Sequence, residues 1–217
     1  MKTLIISELF LSIQGESTYV GRPCYFIRLA GCNLECSYCD TKYSISNTDS
    51  KEYEISELVE KAVESGVKFV EITGGEPLLQ KNVQLLSDLL LKEKLTVLIE
   101  TNGSVAISDL PPGVIKILDC KCPSSGMDNE MFFENFDLLT KNDEVKFVMS
   151  NKQDYEYAVN IINSYKLITK TEKILFSPVA GKLSPKLLAE WMVRDKIPAI
   201  LQLQLQKIIW TNIDRGV

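Results

Sequence analysis

Not one histidine occurs in the 217 residues. That removes the Ser-His-Asp triad, the Cys-His protease dyad and every histidine-containing zinc site. Any chemistry must come from sulfur, carboxylates, hydroxyls or a cofactor. A basic excess is also missing: 24 lysines and arginines face 29 acidic residues, for a formal charge of −5. A protein built to hold nucleic-acid phosphates carries the opposite balance, so no nucleic-acid partner is expected. Long apolar runs are absent too, since none approaches the roughly 20 residues that span a bilayer. The start, MKTLIISELFLSI, is broken by Glu8 and followed by no small-residue cleavage site, so it reads as mature structure. These absences predict a cytoplasmic protein with no membrane partner and with reduced thiols. No low-complexity linker or compositional break divides the chain, so residues 1–217 read as a single domain.

What remains is an alternation of strand and helix patterns. Short apolar or β-branched runs predict strands at 25–29, 67–73, 96–100, 114–119, 144–149, 173–178 and 199–205. Between them lie stripes at helical spacing: Ile55, Leu58, Val59, Ala62 and Val63, bounded by Ser56 and Gly66; then Val83, Leu86 and Leu90; Tyr155, Ala158, Val159 and Ile162; and Leu187, Leu188, Trp191 and Met192. The stretch 101–113, with its PPG, carries no helical pattern, so one repeat is abbreviated. Such alternation predicts an α/β fold with a mostly parallel sheet and outer helices. The chain falls short of the roughly 250 residues of a full eight-unit barrel, so a partial (β/α) barrel is expected.

Against this frame three cysteines, Cys32, Cys36 and Cys39, fall in the loop after the strand YFIRLAG. Parallel α/β proteins place their chemistry at that carboxyl end. Three thiols are one short of a closed tetrahedral zinc site, whose fourth ligand would have to be Cys24, Cys120, Cys122 or Asp40. A C-x-x-C dithiol would account for Cys36 and Cys39 but leave Cys32 unexplained. Three thiolates suit a 4Fe-4S cluster with one iron open to an exchangeable ligand. Cys24, Cys120 and Cys122 read as small packed residues. A second motif, EITGGEPLLQ, sets Gly74, Gly75 and Glu76 after a strand. Without a Cβ the glycines would let a ligand approach the backbone, and Glu76 would add a carboxylate at the same rim.

The spacing C-x-x-x-C-x-x-C with Tyr38 before the last cysteine, together with GGEP, resembles the radical S-adenosylmethionine enzymes. SIQGES, GRPCYFIRLAGCNLECSYCDT, IETNGS, DCKCPSSG, VKFVMS and LQLQLQKIIW extend the likeness along nearly the whole chain to the 7-carboxy-7-deazaguanine synthases. That resemblance implies ring contraction of 6-carboxy-5,6,7,8-tetrahydropterin to 7-carboxy-7-deazaguanine with loss of ammonia, on the route to queuosine and other deazapurines. It implies a 4Fe-4S cluster on Cys32, Cys36 and Cys39, S-adenosylmethionine near Gly75, Ser124 and Ser177, and Mg2+ on Thr41. It also implies pterin contacts from Ile13, Gln14, Gly15, Arg28 and Thr73, with Glu16 either a further contact or a cap. A homodimer served by a reductant protein such as flavodoxin completes the expectation. Gln206 stands where the family usually carries histidine before KIIW. A glycyl-radical activase would share the cysteine loop and GGEP but not SIQGES, CPSSG or KIIW, and a structural-zinc binding module would share neither chemistry.

Overall fold

The computed structural model of the protein describes residues 2–46, 49–213 and 215–217. Its strands are β1 (Thr3–Ile13), β2 (Pro23–Leu29), β3 (Lys51–Glu54), β4 (Phe69–Gly74), β5 (Thr96–Thr101), β6 (Ile115–Asp119), β7 (Glu144–Met149), β8 (Ile174–Pro178) and β9 (Ile200–Leu201). The helices are α1 (Ile55–Glu64), α2 (Val83–Lys92), α3 (Lys152–Ser164), α4 (Pro185–Asp195) and a short α5 (Leu205–Ile209). Among the described residues one sheet runs β3-β1-β2-β4-β5-β6-β7-β8-β9. From β2 to β9 every neighbouring pair is parallel, whereas β1 pairs antiparallel with both β2 and β3. Because β3 and β9 stay at opposite ends of this order, the sheet is an open, partial barrel.

Most of the apolar positions expected of the helices are buried, although Val63 and Leu187 are exposed. Leu58 and Ala62 of α1, Val83, Leu86 and Leu90 of α2, Tyr155, Ala158 and Ile162 of α3, and Leu188 and Met192 of α4 join one core with the strands. α1 contacts α2 and β3, α2 contacts β5, α3 contacts β7, and α4 contacts β8. Ser56, expected near the start of α1, lies inside it; the N-cap is Glu54, which makes no side-chain cap bond.

Two expectations are amended. β1 and β3 were not anticipated as strands, because the leader-like apolar run of β1 does not alternate cleanly and KEYE is polar. The strand predicted at 199–205 shrinks to Ile200–Leu201, and the chain turns away once the Gln202 N–H has reached the Phe176 carbonyl at 2.9 Å. Segment 101–113 is helix-free, as its composition suggested.

Candidate active site

Strand alternation builds the site. In β2, Tyr25, Ile27 and Leu29 enter the core while Phe26 and Arg28 turn to a pocket on the other face. The same split puts Glu71 and Thr73 of β4, Glu100 of β5, Asp119 of β6, and Lys146 and Val148 of β7 on the pocket wall. Register carries the pattern sideways, since Phe26 pairs with Glu71, Arg28 with Thr73, and Asp119 with Lys146. The wall of an apolar-looking sheet is therefore charged.

Cys32, Cys36 and Cys39 all line this pocket, as do Ile13, Gln14, Gly15, Arg28, Thr41, Thr73 and Gly75. The cysteine loop is pinned from several sides. Tyr38 Oη donates to the Val148 carbonyl at 3.1 Å, and Ser37 donates through N to the Ser125 carbonyl at 3.0 Å and through Oγ to the Ser124 carbonyl at 2.7 Å. Asn102 Nδ2 donates to Asn33 Oδ1 at 3.2 Å and lies 3.8 Å from Cys32 Sγ. Burial raises the Cys32 and Cys36 thiols above their ordinary range, offset in part by a backbone bond at Cys32 and by Lys121 at Cys36. The other cysteines, Cys24, Cys120 and Cys122, are fully buried in the hydrophobic interior. Among the described residues no three acidic, thiol or imidazole groups converge as ligands of a single ion. A zinc site needs such convergence, whereas three sulfurs that each take a different iron of a cluster stand apart. The donor set fits the cluster.

Gly74 and Gly75 line the pocket, and the GGEP turn has a second use for them. A Cβ on Gly74 would lie 2.2 Å from the Leu29 carbonyl oxygen, and one on Gly75 would lie 2.0 Å from that of Gly31. The glycines therefore let the turn press against the root of the cysteine loop, where Gly75 N donates to Leu29 O and Glu76 N to Gly31 O. Glu76 is not at the rim. Its buried carboxylate accepts from Leu78 N at 2.9 Å, Thr101 Oγ1 at 2.9 Å and Asn102 N at 2.6 Å, so it ties this turn to the end of β5. Burial raises its carboxyl to about 6 against the pull of those bonds.

The floor is an ionic cluster. Lys146 Nζ lies 3.0 Å from Glu16 and 3.8 Å from Asp119 and is paired closely with Glu100. Burial would lower the Lys146 ammonium, but the three carboxylates hold it well above its usual range. For Glu16, burial pushes upward, and the Lys146 charge with amide donors from Gln204 and Gln206 outweighs it, bringing the carboxyl to about 2. Glu71 has only the Gln14 amide and the more distant lysine, so burial and the Glu100 charge raise it to about 8. Burial raises Glu100 as well, against Lys146.

Arg28 donates through Nε to Glu8 Oε2 at 3.2 Å and stacks its guanidinium 5.5 Å from the Phe10 ring centroid. Thr41 precedes the short turn Lys42–Ser44 without capping it through its side chain, and its hydroxyl lies 3.8 Å from Cys39 Sγ. Ser124 and Ser177 lie off the pocket lining. Ser124 Oγ donates to Asp154, while Ser177 is fully buried beside Val148 in the β7–β8 register. Glu71, Glu100, Asp119, Lys121, Lys146 and Val217 line the pocket and were missed in the sequence. For all but Lys121, which follows β6, and Val217 a signal existed, because a charge inside a strand buried on both faces must be partnered or functional.

Comparison with known proteins bears on this geometry. The sequence model of the radical SAM superfamily matches residues 26–171. The 7-carboxy-7-deazaguanine synthase of Koribacter versatilis is 40% identical over 98% of this chain and 99% of its own length, and that of Chlorobaculum tepidum is 42% identical over 99% and 97%. The chain belongs to the 7-carboxy-7-deazaguanine synthase family, within the radical SAM superfamily. In fold it is similar to the crystal structure of QueE from Escherichia coli, with a TM-score of 0.76 over 93% of this chain and 95% of that one at 21% identity. Membership in a radical SAM family implies a 4Fe-4S cluster and S-adenosylmethionine, and favours a synthase over an activase or a zinc module.

Proposed function

We propose that the chain converts 6-carboxy-5,6,7,8-tetrahydropterin to 7-carboxy-7-deazaguanine with loss of ammonia. One observation carries this reading: the three cysteines, with Arg28 and Thr73 toward the carboxyl ends of parallel strands, share a single pocket with Ile13, Gln14 and Gly15 from the end of β1. Cys32, Cys36 and Cys39 would hold the cluster, with S-adenosylmethionine near Gly75; Ser124, bonded to Asp154, and the buried Ser177 lie off that lining. Together these cofactors supply radical chemistry, a one-electron cleavage that leads to removal of a hydrogen from the substrate. The protein supplies placement and exclusion of water.

Arg28 uses Nε on Glu8, which sets the plane of the guanidinium and keeps its other N–H groups available to the pterin carboxylate. Glu100 is an acceptor suited to a ring rich in N–H donors, and Glu71, raised to about 8, adds a carboxyl that can both accept and donate. The Thr41 hydroxyl, which makes no cap bond, would hold Mg2+, a hard ion suited to an oxygen donor of this kind. The enzyme acts as a cytoplasmic homodimer fed by a reductant protein such as flavodoxin, with neither a nucleic-acid nor a membrane partner. Among the described residues no helix is long and apolar enough to cross a membrane.

Anaerobic turnover with the carboxypterin, S-adenosylmethionine, Mg2+ and dithionite, read by product absorbance and mass, tests the reading. Cleavage of S-adenosylmethionine without the deazaguanine would reject it. Thr41→Val, nearly isosteric, lowers turnover and flattens its dependence on added Mg2+. An unaltered Mg2+ titration would remove Thr41 from the site.

A further inference from the structure

The open sheet has two ends, and side chains at the ionic floor of the pocket join them. β1 ends at Ile13, and the following loop carries Gln14, Gly15 and Glu16; the segment after β9 carries Gln202, Gln204 and Gln206. Glu16 Oε1 accepts from Gln204 Nε2 at 3.0 Å and Gln206 Nε2 at 2.9 Å, while Oε2 accepts from Gln202 Nε2 at 3.2 Å and Lys146 Nζ at 3.0 Å. Four donors saturate one carboxylate. One backbone bond reinforces them, Leu205 N to Gly15 O at 2.9 Å. Packing is tight enough that a Cβ on Gly15 would lie 1.9 Å from Gln206 Oε1.

The amides are oriented by the anion. With their nitrogens committed to Glu16, Gln202 Oε1 and Gln206 Oε1 are left buried without a partner among the described residues. Their stretch reads LQLQLQ, and a strand would have carried all three glutamines on one face. Only Ile200–Leu201 pair as β9, so the convergence comes from the turn that follows.

We propose that Gln202, Gln204 and Gln206 are positioning residues that clasp Glu16, locking the loop of Ile13, Gln14 and Gly15 across the open side of the sheet in its substrate-binding form. The substrate part rests on the function proposed above; the clasp itself does not. Glu16 is anionic through the neutral range, its facing ion being Lys146, with Glu100 and Asp119 on the far side of that lysine and Glu71 beyond Gln14. Deleting donors therefore loosens the loop without touching the cluster.

The test uses the full chain with its cluster reconstituted. Gln206→Leu keeps side-chain bulk and removes the donor; Gln204→Leu/Gln206→Leu removes two; Gln206→His restores an N–H. We expect the single leucine variant to raise KM for the carboxypterin about tenfold and the double variant about a hundredfold, with kcat within about twofold, as loss of charge-assisted bonds used only to hold the loop requires. Amide exchange at residues 14–19 and at Leu205 accelerates in step, iron content stays at the wild-type level, and Gln206→His returns both KM and exchange toward wild type. Native KM with native exchange in the double variant overturns the proposal, as does a histidine variant no better than leucine. If wild type fails to convert the carboxypterin, the functional reading falls while the exchange arm still decides the clasp.

Discussion

Glu16 and Glu71 are the same residue type in one pocket, yet they leave the ordinary carboxylate value of 4.5 in opposite directions, to about 2 and about 8. The difference is partners: Glu16 receives an ammonium and three amides, whereas Glu71 receives the Gln14 amide and faces the Glu100 charge. By linkage, the lowered Glu16 favours the folded state above pH 4.5 and loses that contribution as pH falls toward 2. The raised Glu71 favours it below pH 4.5 and loses that contribution as pH climbs through 8. Glu71→Gln should therefore flatten the stability profile between about pH 4.5 and 8 and raise Tm on the alkaline side, where about 1 kcal/mol corresponds to roughly 2–4 °C in a chain of this size. Thermal melts across that range decide it; a mutant profile parallel to wild type would assign the titration elsewhere. Thiols divide just as sharply. Alanine at Cys32, Cys36 or Cys39 should abolish cluster assembly and turnover, while Cys122→Ala, in the core, should keep iron and lose only stability, about 1 kcal/mol for the small cavity. Iron and sulfide analysis after anaerobic reconstitution separates the two groups.

At the scale of elements, the parallel strands were legible because their apolar runs are buried on one face by helices and on the other by the barrel interior. The same property concealed the site, since FVEITG, TVLIET, IKILD and EVKFVM each hide a charge at a pocket-facing position inside an apolar word. β1 and β3 were not legible, as antiparallel edge pairing is decided by neighbours far away in sequence. GGEP was legible as a motif, and its glycines have a second role besides lining the pocket. Its glycines admit protein backbone, which only the three-dimensional neighbour reveals. Gly75→Ala would bring a methyl group within 2.0 Å of the Gly31 carbonyl, a backbone atom that cannot swing aside. The cysteine loop must shift with it. We expect a folded protein that binds markedly less than the full complement of iron; full iron occupancy with native turnover would show that the contact is dispensable.

The whole molecule separates its core from its chemistry. One hydrophobic cluster links β1, β2 and β4–β8 with α1–α4, and of the cysteine loop, residues 31–41, only Leu34 is buried. The loop is instead held by polar contacts to GGEP, to the segments around Asn102 and Ser125, and to β7. Small metal-dependent domains behave otherwise, because there the metal replaces a core that the chain is too short to build. Here the core exists without it. Stripping the cluster with chelator under reducing conditions should therefore leave the far-UV and near-UV circular dichroism of the sheet and helices in place and preserve a single cooperative melt. Tm should fall only by the binding linkage of the cluster to the native state. Hydrogen exchange should accelerate around residues 31–41 and at the contacts named above, with the amides of β4–β7 still protected. A stripped protein that binds hydrophobic dyes, loses its near-UV spectrum and melts without cooperativity would mean that the cluster organises the barrel rather than occupying it.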